Sequence, residues 1–223
     1  MEAPIPDNTP HSTRRASELS ASYDEVAHEY VRRIAHELDH KPFDRELLDR
    51  FAENFEPGDI VCDIGCGPAH VARYLHERGV KVIGIDLSPG MVAQARLLNP
   101  ELEIHQGDML SLDVPDESWA GVVAFYSIIH IPRNDVVRAL SELRRCLRPG
   151  GSLLMSFHIG DEVVHLEELW EHPVNMDFIF FQPDEMFGYL DGAGFNVEET
   201  LERDPYPDVE YQSRRAYISA IRR

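Results

Sequence analysis

Three acidic residues are spaced so that alternating strands and helices would bring their carboxylates to one place. The first opens the stretch Asp63-Ile-Gly65-Cys-Gly67-Pro. Glycine takes positive φ angles and lets a backbone approach a ligand closely, so this stretch offers a loop that can pass under a bound molecule. Asp86 ends the apolar run Val82-Ile-Gly-Ile, about 20 residues on, where an acid accepts hydrogen bonds from both hydroxyls of a ribose. Asp108, in Gln106-Gly-Asp-Met109, follows a third apolar stretch and can take the exocyclic amine of an adenine. Each acid alone reads as a cap or turn residue. Three of them at the carboxyl ends of successive strands read as a nucleoside site.

The charge of that site selects among nucleoside ligands. A dinucleotide fingerprint needs a third glycine where this chain has His70, and Asp63 would repel a pyrophosphate. An acid suits a cationic ligand, and S-adenosylmethionine (SAM) carries both a sulfonium and an ammonium. Cys62 and Cys66 flank the first glycine, but no further His and Cys complete a zinc set. No metal is expected, and the three cysteines read as reduced thiols.

The elements that would hold these residues follow from periodicity. A stretch rich in Pro, Ser and Thr, residues 1–17, reads as a flexible tail. A helix is expected from about Leu19, with Val26, Tyr30 and Ile34 on one face, and another over Phe43 to Phe55. From Asp59 onward, short apolar strands alternate with helices. Strands are expected at Asp59–Ile64, Lys81–Asp86, Leu102–His105, Gly121–Ser127 and Ser152–His158. Helices are expected at Pro68–Arg78, after a Ser88 cap, and from an Asn134 or Asp135 cap to Leu147. Repeated units of this kind give an α/β fold with a doubly wound, Rossmann-like parallel sheet. Residues 159–181 read as irregular, Pro183–Ala193 as a helix, and Phe195–Glu202 and Tyr211–Ile221 as a closing pair of strands. The expected organisation is a single domain over 18–223, with an N-terminal helical cap at 18–56 and a lid insert at 159–181.

Composition narrows the partners. The 223 residues suffice for one full-sized domain, with 43% hydrophobic and 27% charged residues. Forty acidic against 21 basic residues give a formal charge of −19, which disfavours nucleic acid as a partner. No apolar run approaches the roughly 20 residues of a membrane helix, so no membrane partner is expected. The N-terminus shows no secretory pattern, and a cytoplasmic monomer or homodimer is expected.

With these residues in view, the chain resembles the class I SAM-dependent methyltransferases of small-molecule type. The resemblance rests on Val61-Cys-Asp-Ile-Gly-Cys-Gly-Pro, Val82-Ile-Gly-Ile-Asp-Leu-Ser-Pro-Gly-Met, Leu147-Arg-Pro-Gly-Gly-Ser-Leu-Leu and the preface Ser22-Tyr-Asp-Glu-Val-Ala-His-Glu-Tyr30. It implies a seven-stranded sheet with an antiparallel last strand. It also implies that Gly65 and Gly67 pass under the methionine part of SAM, with Asp63 near its amino group. Asp86 would hold the ribose. Leu87 and Met91 would sandwich the adenine, and Asp108 with the Met109 amide would read its edge. Tyr126 would line the sulfonium side, and Tyr23 and Tyr30 would close the pocket. The chain departs from the family in having Trp119-Ala120 where Phe-Asp is common.

Methyl transfer requires an aligned, desolvated nucleophile and does not always need a base. His130, after the fourth strand, is the candidate base, with an ordinary pKa suited to neutral pH. Its alternative is a structural histidine that shapes the pocket. Together with His130, His158, Trp170, Phe178 and Arg203 are the candidates for holding the acceptor, and the aromatic lid suits a small organic molecule. The transfer would reach oxygen, nitrogen or sulfur of that molecule. The competing readings are an NAD-dependent oxidoreductase and a non-catalytic SAM-binding module.

Overall fold

The computed structural model describes residues 11–223. Five strands run parallel: β1 (Ile60–Ile64), β2 (Lys81–Asp86), β3 (Glu103–Gln106), β4 (Trp119–Phe125) and β5 (Leu147–His158). A later hairpin, β8 (Phe195–Arg203) and β9 (Arg215–Arg222), adds β9 antiparallel to β5 and completes the order β3-β2-β1-β4-β5-β9-β8. The sheet therefore has seven strands, mostly parallel, and the last in sequence runs antiparallel. The strand order reverses beside β1, which places a crevice at the carboxyl ends of β1 and β4.

Successive strand residues point to opposite faces, and the core divides accordingly. Val122 and Leu153 pack on one face with Leu140 and Leu143 of α5 (Arg133–Cys146), and the helix α6 (Pro183–Gly192) covers the same face. Val123 and Leu154 pack on the other with Leu48 and Phe51 of α2 (Pro42–Ala52) and Leu75 of α3 (His70–His76). Coverage on both faces explains why β4, Trp-Ala-Gly-Val-Val-Ala-Phe, is almost wholly apolar. Gly121 leaves room for the Phe55 ring, whose tip a Cβ would approach to 2.3 Å and force to shift.

A third cluster sits over the strand ends. It joins Val26 and Ala27 of α1 (His11–Ile34), Met91 of α4 (Pro89–Leu98), and Val174 and Met176 of β7 (His172–Ile179), which pairs with β6 (Val163–Leu169). This cluster is what roofs the crevice.

Several elements differ from the sequence expectations. Helix α1 begins at His11 rather than near Leu19, so residues 11–17 are not the tail expected of them; residues 1–10 lie outside the described residues. The segment expected to be irregular, 159–181, contains the antiparallel hairpin β6–β7. Its two-residue turn, Trp170-Glu171, has φ of 52° and 69°, the geometry usually reserved for Asn-Gly. Without that signal the turn is not legible. Helix α5 is not capped by Asn134 or Asp135: Pro132 occupies the cap position, with no side-chain bond. Ser88 does cap α4, accepting the Met91 N–H at 2.9 Å.

Candidate functional site

The glycine loop is fixed from two sides. Gly65 and Cys66 N–H donate to the Ile85 carbonyl at 2.7 and 3.1 Å, which folds the loop over the end of β2. Gly65 has φ of +68°, and a Cβ there would lie 2.4 Å from that of Ser127, so the close approach to the β4 end requires glycine. Gly67, at φ +51°, donates its N–H to Asp86 Oδ2 at 2.8 Å, while Ser88 N–H donates to Oδ1 at 2.9 Å. The two loops thus share one buried carboxylate. Burial raises the Asp86 pKa, and the charge of Asp24 adds to that. Asp63 accepts the Ala72 N–H at 3.0 Å, and burial pushes it up to about 7. Asp108 accepts the Leu110 N–H at 2.8 Å.

Every residue expected to hold the cofactor lines one cavity, and so does His130. These are Tyr23 and Tyr30 from α1, Asp63, Gly65 and Gly67 after β1, Asp86, Leu87 and Met91 after β2, Asp108 and Met109 after β3, and Tyr126 after β4. Tyr126 has φ of 51°, an uncommon conformation for a bulky residue, and its hydroxyl lies 3.1 Å from that of Tyr217.

His130 is held at both nitrogens. Nδ1 lies 2.8 Å from the Asp177 carbonyl, and Nε2 lies 2.7 Å from the Tyr23 hydroxyl. A carbonyl only accepts, so Nδ1 carries the proton and donates it. Nε2 is then a bare acceptor, and the Tyr23 hydroxyl donates to it. Burial pushes the imidazole down to about 4, against the opposing pull of the Asp177 carbonyl. The sequence expectation of a near-neutral pKa does not hold. His130 is neutral at pH 7, and its one lone pair is already engaged.

The four acceptor-side candidates besides His130 stand off the cavity wall. Phe178 packs edge-on to His130, with centroids 4.8 Å apart. Trp170 lies against Tyr30 and beneath the Arg33 guanidinium. His158 stacks on Phe180 at 4.9 Å and bonds Ser213 Oγ through Nδ1 at 2.7 Å; burial, then the charges of Arg215 and Lys41, push it down to about 3. Arg203 is enclosed by Asp44, Glu210, the Tyr217 hydroxyl and the Asp204 carbonyl. Its donors face partners within the protein.

Sequence reasoning missed three contributors. Asp24 Oδ1 accepts from Ser88 Oγ at 2.6 Å and Gly90 N–H at 2.7 Å, so α1 supplies a second cap to α4. Glu37 and His70 line the cavity beside Asp63, with Glu37 Oε1 3.0 Å from His70 Nε2. Burial opposes ionisation of Glu37, but His70 and Lys41 overcome it and hold the carboxyl at about 2. Only the preface containing Tyr23 and Asp24 carried a hint of this, since the partners lie far apart in sequence.

The residues present fit SAM. Two buried carboxylates, Asp63 and Asp86, are raised by burial, and a cationic ligand relieves that cost. Ser127 Oγ is buried in the same wall without a hydrogen-bond partner, and so can serve a ligand. Among the described residues no group of side chains forms a metal site, and no helix is long and apolar enough to cross a membrane.

Comparison with known proteins agrees. A family model described as a methyltransferase domain matches residues 61–151. The malonyl-[acyl-carrier protein] O-methyltransferase of Serratia marcescens is 33% identical over 115 residues, covering 52% of this chain and 44% of that protein. A probable S-adenosylmethionine-dependent methyltransferase of Mycolicibacterium smegmatis is 32% identical over 154 residues, 65% of this chain and 54% of that one. The chain thus spans about half the length of these relatives. In fold, it matches the Burkholderia thailandensis 1,6-didemethyltoxoflavin-N1-methyltransferase, solved with 1,6-didemethyltoxoflavin and S-adenosylhomocysteine. The TM-score is 0.70 at 18% identity, covering 100% of this chain and 93% of that one. A SAM-dependent methyltransferase of Methanosarcina mazei gives a TM-score of 0.68 at 16% identity, over 75% and 94% of the two chains. Residues 61–151 thus match a methyltransferase domain, and the sheet order and glycine loop are those of a fold similar to the SAM-dependent methyltransferases.

Proposed function

We propose that this chain transfers a methyl group from SAM to oxygen, nitrogen or sulfur of a small organic acceptor, with the described residues 11–223 acting as one domain and the β6–β7 hairpin as its lid. The observation that carries the reading is the cavity that gathers Asp63, Asp86 and Asp108 from three successive strand ends. Asp86 takes the ribose hydroxyls, Leu87 and Met91 flank the adenine, and Asp108 and the Met109 amide read its edge. Gly65 and Gly67 lie beneath the methionine part, and Asp63 meets its ammonium. Bound SAM supplies a methyl carbon on a cationic sulfur. The chain's part is alignment and exclusion of water, with Tyr23 and Tyr126 closing the space where the acceptor approaches. His130 holds the Tyr23 hydroxyl in place and is a positioning residue rather than a base.

Calorimetry tests the reading. SAM and S-adenosylhomocysteine should bind and NAD should not. Asp86→Ala should weaken SAM binding at least tenfold, the loss of a charged acceptor being worth about 1.5–3 kcal/mol. Equal affinity in the variant would remove the ribose assignment. A radiolabelled-SAM screen over pooled metabolites separates an enzyme from a non-catalytic SAM-binding module.

A further inference from the structure

The cavity wall carries four carboxylates, on Glu37, Asp63, Asp86 and Asp108, and among the described residues neither a lysine nor an arginine. Two cations stand beside Tyr126, Lys41 Nζ 5.5 Å and the Arg215 guanidinium 5.8 Å from its ring centroid, and both are paired within the protein. Lys41 Nζ lies 2.7 Å from Glu37 and 3.4 Å from Glu210. Arg215 is 3.1 Å from Glu210 and donates to the Tyr211 and Ser213 carbonyls. In the adjoining recess, the one arginine, Arg15, is bound by Asp177. Residues 1–10 contain no lysine or arginine. The groups where the acceptor approaches are uncharged hydrogen-bonding side chains, Tyr23, Tyr126, Ser127 and His130, with the Phe178 ring against His130.

We infer that the methyl acceptor is an uncharged small molecule bearing a nitrogen or hydroxyl nucleophile, and not a carboxylate or phosphate. This deepens the methyltransferase reading and rests on it. An anion entering this recess finds no lysine or arginine side chain free to hold it, whereas sites that bind carboxylate or phosphate present an arginine fork or lysine. The transfer itself favours the same class. The acceptor's lone pair forms the new bond to the methyl carbon, the carbon–sulfur bond breaks with its pair left on sulfur, and the acceptor's proton passes to solvent water. The positive charge passes from sulfur to the acceptor atom along that path, and the Tyr23, Tyr126 and Ser127 oxygens in the cavity can accept a hydrogen bond from its N–H or O–H.

The test uses single-ring probes of matched size on protein first shown by calorimetry to be loaded with S-adenosylhomocysteine. Benzamide, phenol and aniline are titrated beside benzoate and phenyl phosphate. At least one of the first three should bind ten or more times tighter than either anion. Anions binding equally or better would overturn the inference, and so would binding by none of the five. Failure to load S-adenosylhomocysteine would instead strike the underlying methyltransferase reading.

Discussion

At the residue scale, His130 shows how burial reassigns a side chain. Read from sequence, a histidine after the fourth strand is poised to be a base. In the fold, its Nδ1–H is committed to Asp177 and its lone pair to Tyr23. The Tyr23 oxygen, which lines the cavity, keeps a free lone pair when its hydroxyl donates to His130. The imidazole's folded pKa, about 4, lies below its ordinary value of about 6.5. In ¹⁵N NMR, the His130 ring should therefore stay neutral with the proton on Nδ1 from pH 5.5 to 8, and titrate only near pH 4. A midpoint above 6 would restore it as a candidate base. For activity, Tyr23→Phe and His130→Leu should lower kcat by a similar factor, about ten- to a hundredfold, and the double variant should cost little more, because the two act as one unit. His130→Gln, which keeps an acceptor for the Tyr23 hydroxyl, should recover part of the loss. A rising limb near pH 7 in wild-type kcat, lost in His130→Gln, would contradict this. The three strand-end aspartates and the glycines were legible because each sits at a fixed offset from a strand. Asp24, Glu37 and His70 were not, because their meaning comes from partners 30 or more residues away.

At the element scale, α1 and the hairpin form the roof, and both were only partly legible. The alternation Val174, Met176, Phe178 in β7 is a strand signal, and those residues do join the cluster with α1. The missing cue was the turn, where Trp170 and Glu171 take positive φ without glycine or asparagine. Such a conformation costs of order 1 kcal/mol for an ordinary residue. Glu171→Gly should therefore raise stability by about 1 kcal/mol, seen as a higher urea midpoint with an unchanged m-value; a fall would show that Glu171 contributes contacts worth more than the strain. Helix α1 began earlier than its apolar spacing indicated, because its first turns are held by polar contacts. Arg15 reaches Asp177, and further along Ser22 Oγ pairs with both the N–H and the carbonyl of Asn175. These bonds leave no hydrophobic period to read. Asp24 joins this roof to the cofactor side by capping α4. Asp24→Ala should cost about 1 kcal/mol of stability, typical for a lost cap, and should weaken SAM binding as well, since α4 carries Met91. Calorimetry beside denaturation separates the two effects, and unchanged SAM affinity would mean that α1 closes over the site without supporting it.

At the scale of the whole molecule, buried titrating groups pull stability in opposite directions with pH. His130 and His158, at about 4 and 3 when folded, lie below their ordinary pKa, so the unfolded chain takes up protons first as pH falls. Their contribution is fully present above about pH 6.5 and is lost as pH drops toward 4 and 3. Asp63 has the other sign. Its folded pKa, about 7, lies above the ordinary 3.8, so the folded protein holds the proton more tightly. Stability is lost as pH rises through 3.8 to 7, amounting to about 4 kcal/mol when complete. Asp86, also raised, adds in the same sense. Toward acid the histidines' losses offset the aspartates' gains, and above pH 6.5 only the aspartates still act. Stability without ligand should therefore peak near pH 6–6.5 and decline toward 7.5. Asp63→Asn should flatten that decline, measured as urea midpoints at pH 6, 6.5, 7 and 7.5. The same linkage governs the ligand. A cationic ammonium beside Asp63 favours its ionised form, so binding expels the proton that the free protein holds below pH 7. SAM affinity should rise about tenfold between pH 5.5 and 7 in the wild type and stay nearly level in Asp63→Asn, with calorimetry in buffers of different ionisation enthalpy reporting about one proton released at the lower pH. A flat wild-type profile with no proton release would show that Asp63 does not meet the ligand's charge, and that its burial serves only the N-terminus of α3 through Ala72.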